Sequence, residues 1–224
     1  MLYLVPTPIG NLQDMTFRAV QTLKDVDLIL AEDTRVSVHL FKHFGIETPY
    51  HSFHAHNEHQ KLEKVIDSLK KGKKIAMVTD AGSPGISDPG FLLVRACVQE
   101  EIQVVPLPGP TALIPALAAS GLPTDKFHFE GFLPVKKGRN TRLEFLKTYP
   151  YTIVLYESPY KLLRTVKDLS DHLGSQKLAC IAKEISKIYE SFATNTLEGH
   201  VNRLSAEASK VKGEYVIVVQ GNGE

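Results

Sequence analysis

The stretch from Lys74 to Gly90 constrains this chain most. An apolar run, Ile75-Ala76-Met77-Val78-Thr79, breaks at once into Asp80-Ala81-Gly82-Ser83-Pro84-Gly85-Ile86-Ser87-Asp88-Pro89-Gly90. The first part has the length and branching of a buried strand, and the second cannot continue it. Gly82, Gly85 and Gly90 admit backbone conformations that a Cβ forbids, while Pro84 and Pro89 stiffen the bend. A rigid loop after a buried parallel strand lies at the carboxyl edge of an open α/β sheet, where small molecules bind. A sharp strand-to-helix turn without a ligand is the plainer alternative. Asp88-Pro89-Gly90 predicts a helix start, with Asp88 as N-cap and Pro89 in the first helical position. Neither G-x-x-x-x-G-K-[ST] nor G-x-G-x-x-G occurs, so the loop fits neither phosphate-cradling pattern.

Strand, turn and helix repeat through the first half. Leu2 to Val5 predicts a strand, Pro6-Thr7-Pro8-Ile9-Gly10-Asn11 a stiff turn, and Phe17, Val20 and Leu23 one helix face. Leu28 to Ala31 predicts a second strand, followed by Glu32-Asp33-Thr34-Arg35 and a helix that Gly45 ends. The two carboxylates and the arginine there either cap the helix as a local ion pair or contact a substrate. Tyr50 to Phe53 and Gln103 to Leu107 complete the strands, and Pro108-Gly109-Pro110-Thr111-Ala112 makes another turn. Such β, α alternation calls for an α/β fold with a parallel sheet covered on both faces. The exit to a second unit is expected near residues 113 to 124.

In the second half, strands are expected over Phe127 to Leu133, Thr152 to Tyr156, Leu178 to Ala182 and Tyr215 to Gln220, with helices between them and over 197 to 208. Pro134 to Arg142 reads as a loop with four cations, Lys136, Lys137, Arg139 and Arg142, suited to a polyanion or simply a solvated charge run. Lys183-Glu184-Ile185-Ser186-Lys187-Ile188-Tyr189-Glu190 is a charge-dense segment at a strand end.

With 224 residues, 43% hydrophobic and 23% charged, the chain can bury a sizeable core. Its longest apolar runs fall far short of the ~20 residues of a membrane helix. The start, Met1-Leu2-Tyr3-Leu4-Val5-Pro6, has no basic region or small-residue cleavage site, so a cytoplasmic location is expected. Cys97 and Cys180 fall in apolar patterns and are expected as buried free thiols. His51, His54, His56 and His59 cluster, but their irregular spacing without Cys or paired carboxylates argues for a polar loop and no metal. The net charge is +1, with the second half the more basic, which leaves room for a local nucleic-acid patch.

Seven ordered blocks carry a resemblance that covers essentially the whole chain. They are Pro6 to Leu12, Ala31-Glu32-Asp33-Thr34-Arg35, Asp80 to Gly90, Pro108 to Ala112, Glu130-Gly131-Phe132-Leu133-Pro134, Tyr156-Glu157-Ser158-Pro159 and Lys183-Glu184-Ile185-Ser186-Lys187. Together they resemble the RsmI-type small-subunit ribosomal RNA (cytidine-2′-O-)-methyltransferases of the tetrapyrrole (corrin/porphyrin) methylase superfamily. Ser186 stands where that family usually carries Thr, which keeps the hydroxyl. RsmI-type chains are often longer at the C-terminus than this one, and a missing tail domain would weaken the grip on RNA or shift the substrate.

The resemblance implies two α/β domains, residues 1–115 with a mostly parallel sheet and 116–224 with a mixed sheet, a ligand cleft between them, and a homodimer. It implies S-adenosylmethionine as cofactor, held by Pro8, Asp80, Ala81, Gly82, Ser83, Ile86, Ser87, Thr111, Ala112, Phe132, Tyr156, Glu157 and Ala182. A ribose 2′-hydroxyl is a poor nucleophile, so a general base or a cation facing the developing alkoxide is needed. Glu184, Lys187, Asp33, Arg35 and Asn11 are the candidates the motifs place there, without a choice among them. Arg18, Arg35, Lys136, Lys137, Arg139 and Arg142 are the expected contacts to small-subunit ribosomal RNA. A methylase of a tetrapyrrole or other small molecule, a non-catalytic nucleotide-binding module and a dinucleotide oxidoreductase are the alternatives. The absence of G-x-G-x-x-G counts against the last.

Overall fold

Short apolar strands, buried most fully at the centre, build the first sheet. In a computed structural model that describes residues 1–54, 58–206 and 211–223, the chain forms two compact units, Met1–Thr111 and Ala112–Glu224. The first unit holds β1 (Leu2–Leu4), β2 (Leu28–Ala31), β3 (Tyr50–Ser52), β4 (Ile75–Val78) and β5 (Val104–Pro106). They pair in parallel in the order β3-β2-β4-β1-β5. Every residue of β4 is buried. Ala76 and Val78 pack with α1 (Phe17–Asp25) and α2 (Thr34–Phe44), while Ile75 and Met77 face α3 (Glu58–Lys70) and α4 (Phe91–Gln99). Helices on both faces explain why this strand reads as a continuous apolar run.

Two local expectations change. Phe17 lies on the expected helix face yet is 97% exposed; Ala19 and Leu23 carry the packing of α1. Asp88 does not cap α4: the helix starts at Phe91 and its N-cap is Gly90, at φ 131°. A φ of 131° is one that L side chains rarely adopt, and a Cβ at Gly90 would also crowd Met77 Cε and Sδ at 3.1 Å, so glycine suits the turn against the β4 core.

The second unit holds α5 (Leu113–Ala119), β6 (Phe127–Phe132), α6 (Arg139–Thr148), β7 (Thr152–Glu157), α7 (Leu162–Leu173), β8 (Leu178–Lys183), β9 (Ser191–Thr196), α8 (Leu197–Ala206) and β10 (Tyr215–Val219). Its sheet runs β6-β7-β10-β8-β9, with β6 and β7 parallel and the other pairs antiparallel, hence mixed. Ile153 and Leu155 of β7, Ala179 and Ile181 of β8, and Ile217 and Val219 of β10 share one face with Leu143, Leu146, Val166, Leu169 and Leu204 of the helices. Strand β9 was not expected from sequence, because Ser-Phe-Ala-Thr-Asn-Thr is an exposed edge strand with no buried apolar stripe.

Cys97 and Cys180 are free and buried, and burial pushes the Cys97 thiol up to about 11. Among the described residues no helix is long and apolar enough to cross a membrane.

Candidate functional site

In the first unit, the turns after β1, β2, β4 and β5 meet at the carboxyl edge of the sheet. Thr7 and Gly82 exchange backbone hydrogen bonds, each N–H donating to the other's carbonyl at 2.9 Å. The buried Thr7 hydroxyl donates to the Thr79 carbonyl at 3.0 Å. The turn after β5 approaches so closely that a Cβ on Gly109 would sit 2.8 Å from Pro6 Cβ, and the Ser83 hydroxyl donates to the Pro110 carbonyl at 3.4 Å. The turn after β2 joins through the Asp33 N–H, which donates to Asp80 Oδ1 at 3.1 Å. The chain leaves β1 toward α1 on one face and β4 toward α4 on the other, the divergence that opens a crevice at a switch point of an α/β sheet.

The backbone of the β4 turn is held in conformations that side chains resist: Gly82, Gly85 and Ser87 lie at φ 83°, 82° and 64°. Ala81, Ile86 and Ser87 are exposed, whereas Gly82 is buried by its bridge to Thr7. Of the residues expected to hold the cofactor, Pro8, Asp80, Ala81, Gly82, Ser83, Ile86, Ser87 and Thr111 belong to this unit and lie on or beside these turns. Ala112 opens the second unit as the residue before α5.

Carboxylates crowd this edge. Glu32 Oε2 accepts from the Asp80 N–H at 3.4 Å. Burial, partly offset by that bond, raises the Glu32 carboxyl, and burial likewise raises Asp80. Burial first, then the charges of Glu32 and Asp80, push Asp88 up to about 6. Asp33 behaves oppositely: the Arg35 guanidinium grips it at 2.5 Å, its carboxylate also accepts the Arg35 N–H, and it falls to about 2. Asp33 is also the N-cap of α2.

The raised Asp88 value has a stability consequence with a definite sign. A carboxyl that binds its proton more tightly folded than unfolded contributes stability below the ordinary value, lost as pH rises through about 6. Asp88→Asn should therefore raise the thermal midpoint above about pH 6 and converge on the parent near about pH 4. Midpoints measured across that range check it; a mutant curve parallel to the parent's contradicts it.

In the second unit, the turn after β8 carries the other charged centre. Lys187 Nζ donates to Glu184 Oε1 at 3.1 Å and to Glu214 Oε2 at 3.0 Å. Glu184 Oε1 also accepts the Glu214 N–H at 2.8 Å. Burial alone would raise Glu184, but the Glu214 N–H and the Lys187 ammonium outweigh it and hold the carboxyl below its ordinary value. For Lys187 the same balance runs upward: burial would lower it, and bonds to Glu214 and Glu184 raise it. Glu184 at φ 51° and Ser186 at φ 68° show a tight turn in the left-handed region. Glu214 escaped the sequence reading because it follows Lys187 by 27 residues, just before the last expected strand.

Phe132 is exposed and Tyr156 half-buried, their rings 5.7 Å apart, while Ala182 is fully buried in β8. Glu157 is not a free ligand group. It is 3% exposed, and its two oxygens accept from the Ser158 N–H at 2.8 Å and the Thr165 hydroxyl at 2.6 Å, tying the end of β7 to α7.

The expected cationic loop is not a uniform charge run. Arg139 is 3% exposed and its donors go to Asp168 at 2.7 Å, the Pro134 carbonyl at 3.1 Å and the Thr165 hydroxyl at 2.8 Å, so it is withdrawn from any phosphate. Its position as first residue of α6, over α7, explains this. Arg142 is paired with Glu130 and lies 4.6 Å over the Phe145 ring, still partly exposed. Lys136 and Lys137 are exposed. Arg139→Met should lower stability by about 2–3 kcal/mol, because Asp168 and Thr165 lose a charged partner at a largely buried site. Urea unfolding reads this as a lower midpoint; an unchanged midpoint contradicts the buried role.

Two further candidates stand apart. Asn11 accepts the Gln13 N–H as the cap of a short 3₁₀ turn over Leu12–Asp14, and Arg18 is exposed on α1. Of the clustered histidines expected on a polar loop, His51 lies in β3 and His59 in the first turn of α3, while His56 lies outside the described residues. Among the described residues no group of three or more His, Cys, Asp or Glu is placed to hold a metal ion.

Comparison with known proteins follows the same outline. The profile of the Tetrapyrrole (Corrin/Porphyrin) Methylases matches residues 1–199. Ribosomal RNA small subunit methyltransferase I of Haemophilus influenzae is 46% identical over 222 residues, 99% of this chain and 78% of that protein. The protein of the same name in Synechocystis sp. is 49% identical over 99% of this chain and 79% of its own length, and that of Halalkalibacterium halodurans 48% identical over 100% and 76%. Among solved structures, the uroporphyrin-III-C-methyltransferase of Thermus thermophilus superposes at TM-score 0.66 with 17% identity, covering 99% of this chain and 94% of that one. A diphthine synthase superposes at TM-score 0.75 with 10% identity, over 98% and 89%. These two likenesses concern the fold. With turns, sheets and sequence in agreement, the chain belongs to the tetrapyrrole (corrin/porphyrin) methylase family.

Proposed function

We propose that this protein is an S-adenosylmethionine-dependent methyltransferase that methylates the 2′-hydroxyl of a cytidine ribose in the 16S RNA of the small ribosomal subunit. The observation that carries the proposal is the near-full-length similarity, at 46–49% identity, to proteins named ribosomal RNA small subunit methyltransferase I. A tetrapyrrole methylase is the second reading, favoured only by the distant fold likeness to a uroporphyrin-III-C-methyltransferase.

The residues present fit such a cofactor. Turns rich in backbone groups at Thr7, Gly82 and Gly109 offer close approach, and Glu32, Asp80 and Asp88 give the edge a negative character suited to a ligand carrying a sulfonium and an ammonium. S-adenosylmethionine supplies, when bound, an electrophilic methyl group for in-line displacement. Pro8, Asp80 to Ser83, Ile86, Ser87, Thr111 and Ala112 are assigned to hold it, with Phe132, Tyr156 and Ala182 as further contacts.

None of the polar candidates is a strong proton acceptor at neutral pH. Asp33 is held at about 2 by Arg35, and Glu184 below its ordinary value by the Glu214 N–H and Lys187. Lys187 keeps its proton, and Arg35 is permanently charged. We therefore assign Lys187 as the fixed cation that stabilises the developing alkoxide, with Glu184 orienting it. Arg35 and Asn11 are left to positioning of the acceptor strand. Lys136 and Lys137, with Arg18, Arg35 and Arg142, serve phosphates. Lys136→Ala with Lys137→Ala should flatten the salt dependence of RNA binding by about 1.4 in log–log slope, at about 0.7 per phosphate on single strands. An unchanged slope means these lysines touch no phosphate.

An acceptor in the ribosomal subunit would place the enzyme in the cytoplasm. The homodimer belongs to the same proposal, and sedimentation equilibrium decides it. The function itself is tested by transfer of tritiated methyl to small subunits from a strain lacking its own copy, beside free 16S RNA and a porphyrin precursor. Label entering RNA and not the tetrapyrrole supports the proposal; the reverse favours the second reading.

A further inference from the structure

We propose that Glu214 is a positioning residue for methyl transfer: with the Glu184 carboxylate it clamps the Lys187 ammonium, and Gly213 exists as the seat that lets the clamp close. The inference rests on the assignment of Lys187 to the acceptor oxygen. Lys187 Nζ lies between two carboxylates, 3.1 Å from Glu184 Oε1 and 3.0 Å from Glu214 Oε2. One partner comes from the turn after β8 and the other from the residue before β10, so the ammonium is fixed from two elements and not by a single flexible pair. The two residues are also tied together through the backbone: the Glu184 N–H donates to the Glu214 main-chain carbonyl at 2.9 Å, and the Glu214 N–H donates to Glu184 Oε1 at 2.8 Å.

Gly213 explains how the carboxylate fits. It lies at φ 95°, and a Cβ there would come within 2.6 Å of Glu184 Cδ and 2.7 Å of Oε1. Contacts that short do not occur, so any side chain at 213 expels Glu184 from its position. Other titratable groups around the turn include Lys183 at the end of β8, Glu190, whose carboxylate accepts the Ser186 N–H at 2.6 Å, and Tyr215, beside Glu214, whose hydroxyl donates to the Lys212 carbonyl at 3.0 Å, faces Arg203 and feels the Glu184 charge. Among the described residues, the partners of the ammonium are the two glutamates. Glu214 is otherwise a surface residue: its side chain is 76% exposed, and among the described residues Lys187 is the ion-pair partner of its carboxylate.

The experiment compares the parent enzyme with Glu214→Gln, Glu214→Asp and Lys187→Met in steady-state methylation of small ribosomal subunits, over a pH range that brackets the alkaline fall of kcat. Glu214→Gln should lower kcat about fivefold, the limit for an exposed charge pair. It should leave KM for subunits and for S-adenosylmethionine unchanged, with the thermal midpoint at the parent value. The alkaline limb of kcat should move to lower pH, because the ammonium loses a carboxylate that favours its charged form. Glu214→Asp should restore part of the rate and of the limb. If the parent methylates RNA and Lys187→Met does not, while Glu214→Gln keeps the parent kcat and alkaline limb, the clamp is overturned and the assignment of Lys187 stands. A raised KM with unchanged kcat also overturns it, since Glu214 then contacts RNA. If Lys187→Met is as active as the parent, the assignment of Lys187 itself fails.

Discussion

Replacing Lys187 by methionine is expected to lower kcat for ribosomal RNA methylation by about 10²–10³-fold, the range for removing one preorganised group from a developing oxyanion. The side chain keeps its length and loses its charge, so the change isolates electrostatics. Lys187 is well suited to that role because its ammonium is desolvated in part and held by Glu184 and Glu214, and so needs little reorganisation as charge develops. Binding of S-adenosylmethionine, measured by calorimetry, should stay within a factor of about 2 of the parent, because uniform binding and transition-state stabilisation are separable. A mutant that binds cofactor poorly while turning over normally would remove Lys187 from the acceptor and return it to cofactor binding.

Gly82→Val should weaken S-adenosylmethionine binding by at least about 100-fold, or about 2.7 kcal/mol. The cause is not a clash with the protein, since the nearest atom to a new Cβ is Ile9 Cγ2 at 3.8 Å. Instead, φ 83° strains a β-branched residue, and both backbone groups of Gly82 are committed to Thr7, so the turn cannot relax without breaking that bridge. Any relief moves the backbone that the ligand must approach. Circular dichroism should show a folded chain, because Gly82 lies outside β4 and α4 and a Cβ there meets no core atom closer than 3.8 Å. Parent-like affinity would dissociate Gly82 from the cofactor.

Elements whose side chains repeat a pattern were readable from sequence, and elements set by distant partners were not. β4 and β10 are buried along their whole length and announce themselves as apolar runs. The parallel first sheet followed from β, α alternation alone, and the turns that build its carboxyl edge are the glycine- and proline-rich blocks. β9 stayed hidden because an edge strand with an exposed face has no apolar stripe. Arg139 read as a free cation because nothing nearby in sequence signals Asp168, 29 residues on, as its partner. Glu214 was missed for the same reason. Asp88 looked like a cap, and the backbone at Gly90, φ 131° and close against Met77, shows why the cap is glycine. The family resemblance rested on turn blocks, whose spacing does not reveal that the Glu157 carboxylate points inward and joins β7 to α7.

The most direct test is the position of the transferred methyl. Small ribosomal subunits methylated by this protein with tritiated S-adenosylmethionine are stripped of protein, and their 16S RNA is hydrolysed in alkali. Alkaline cleavage proceeds through attack by the 2′-oxygen on the adjacent phosphate, so a ribose carrying a 2′-O-methyl group resists it. The account predicts that all label elutes as one alkali-resistant dinucleotide whose 5′ residue is a cytidine. Label released in a mononucleotide would place the methyl on a base and contradict the account.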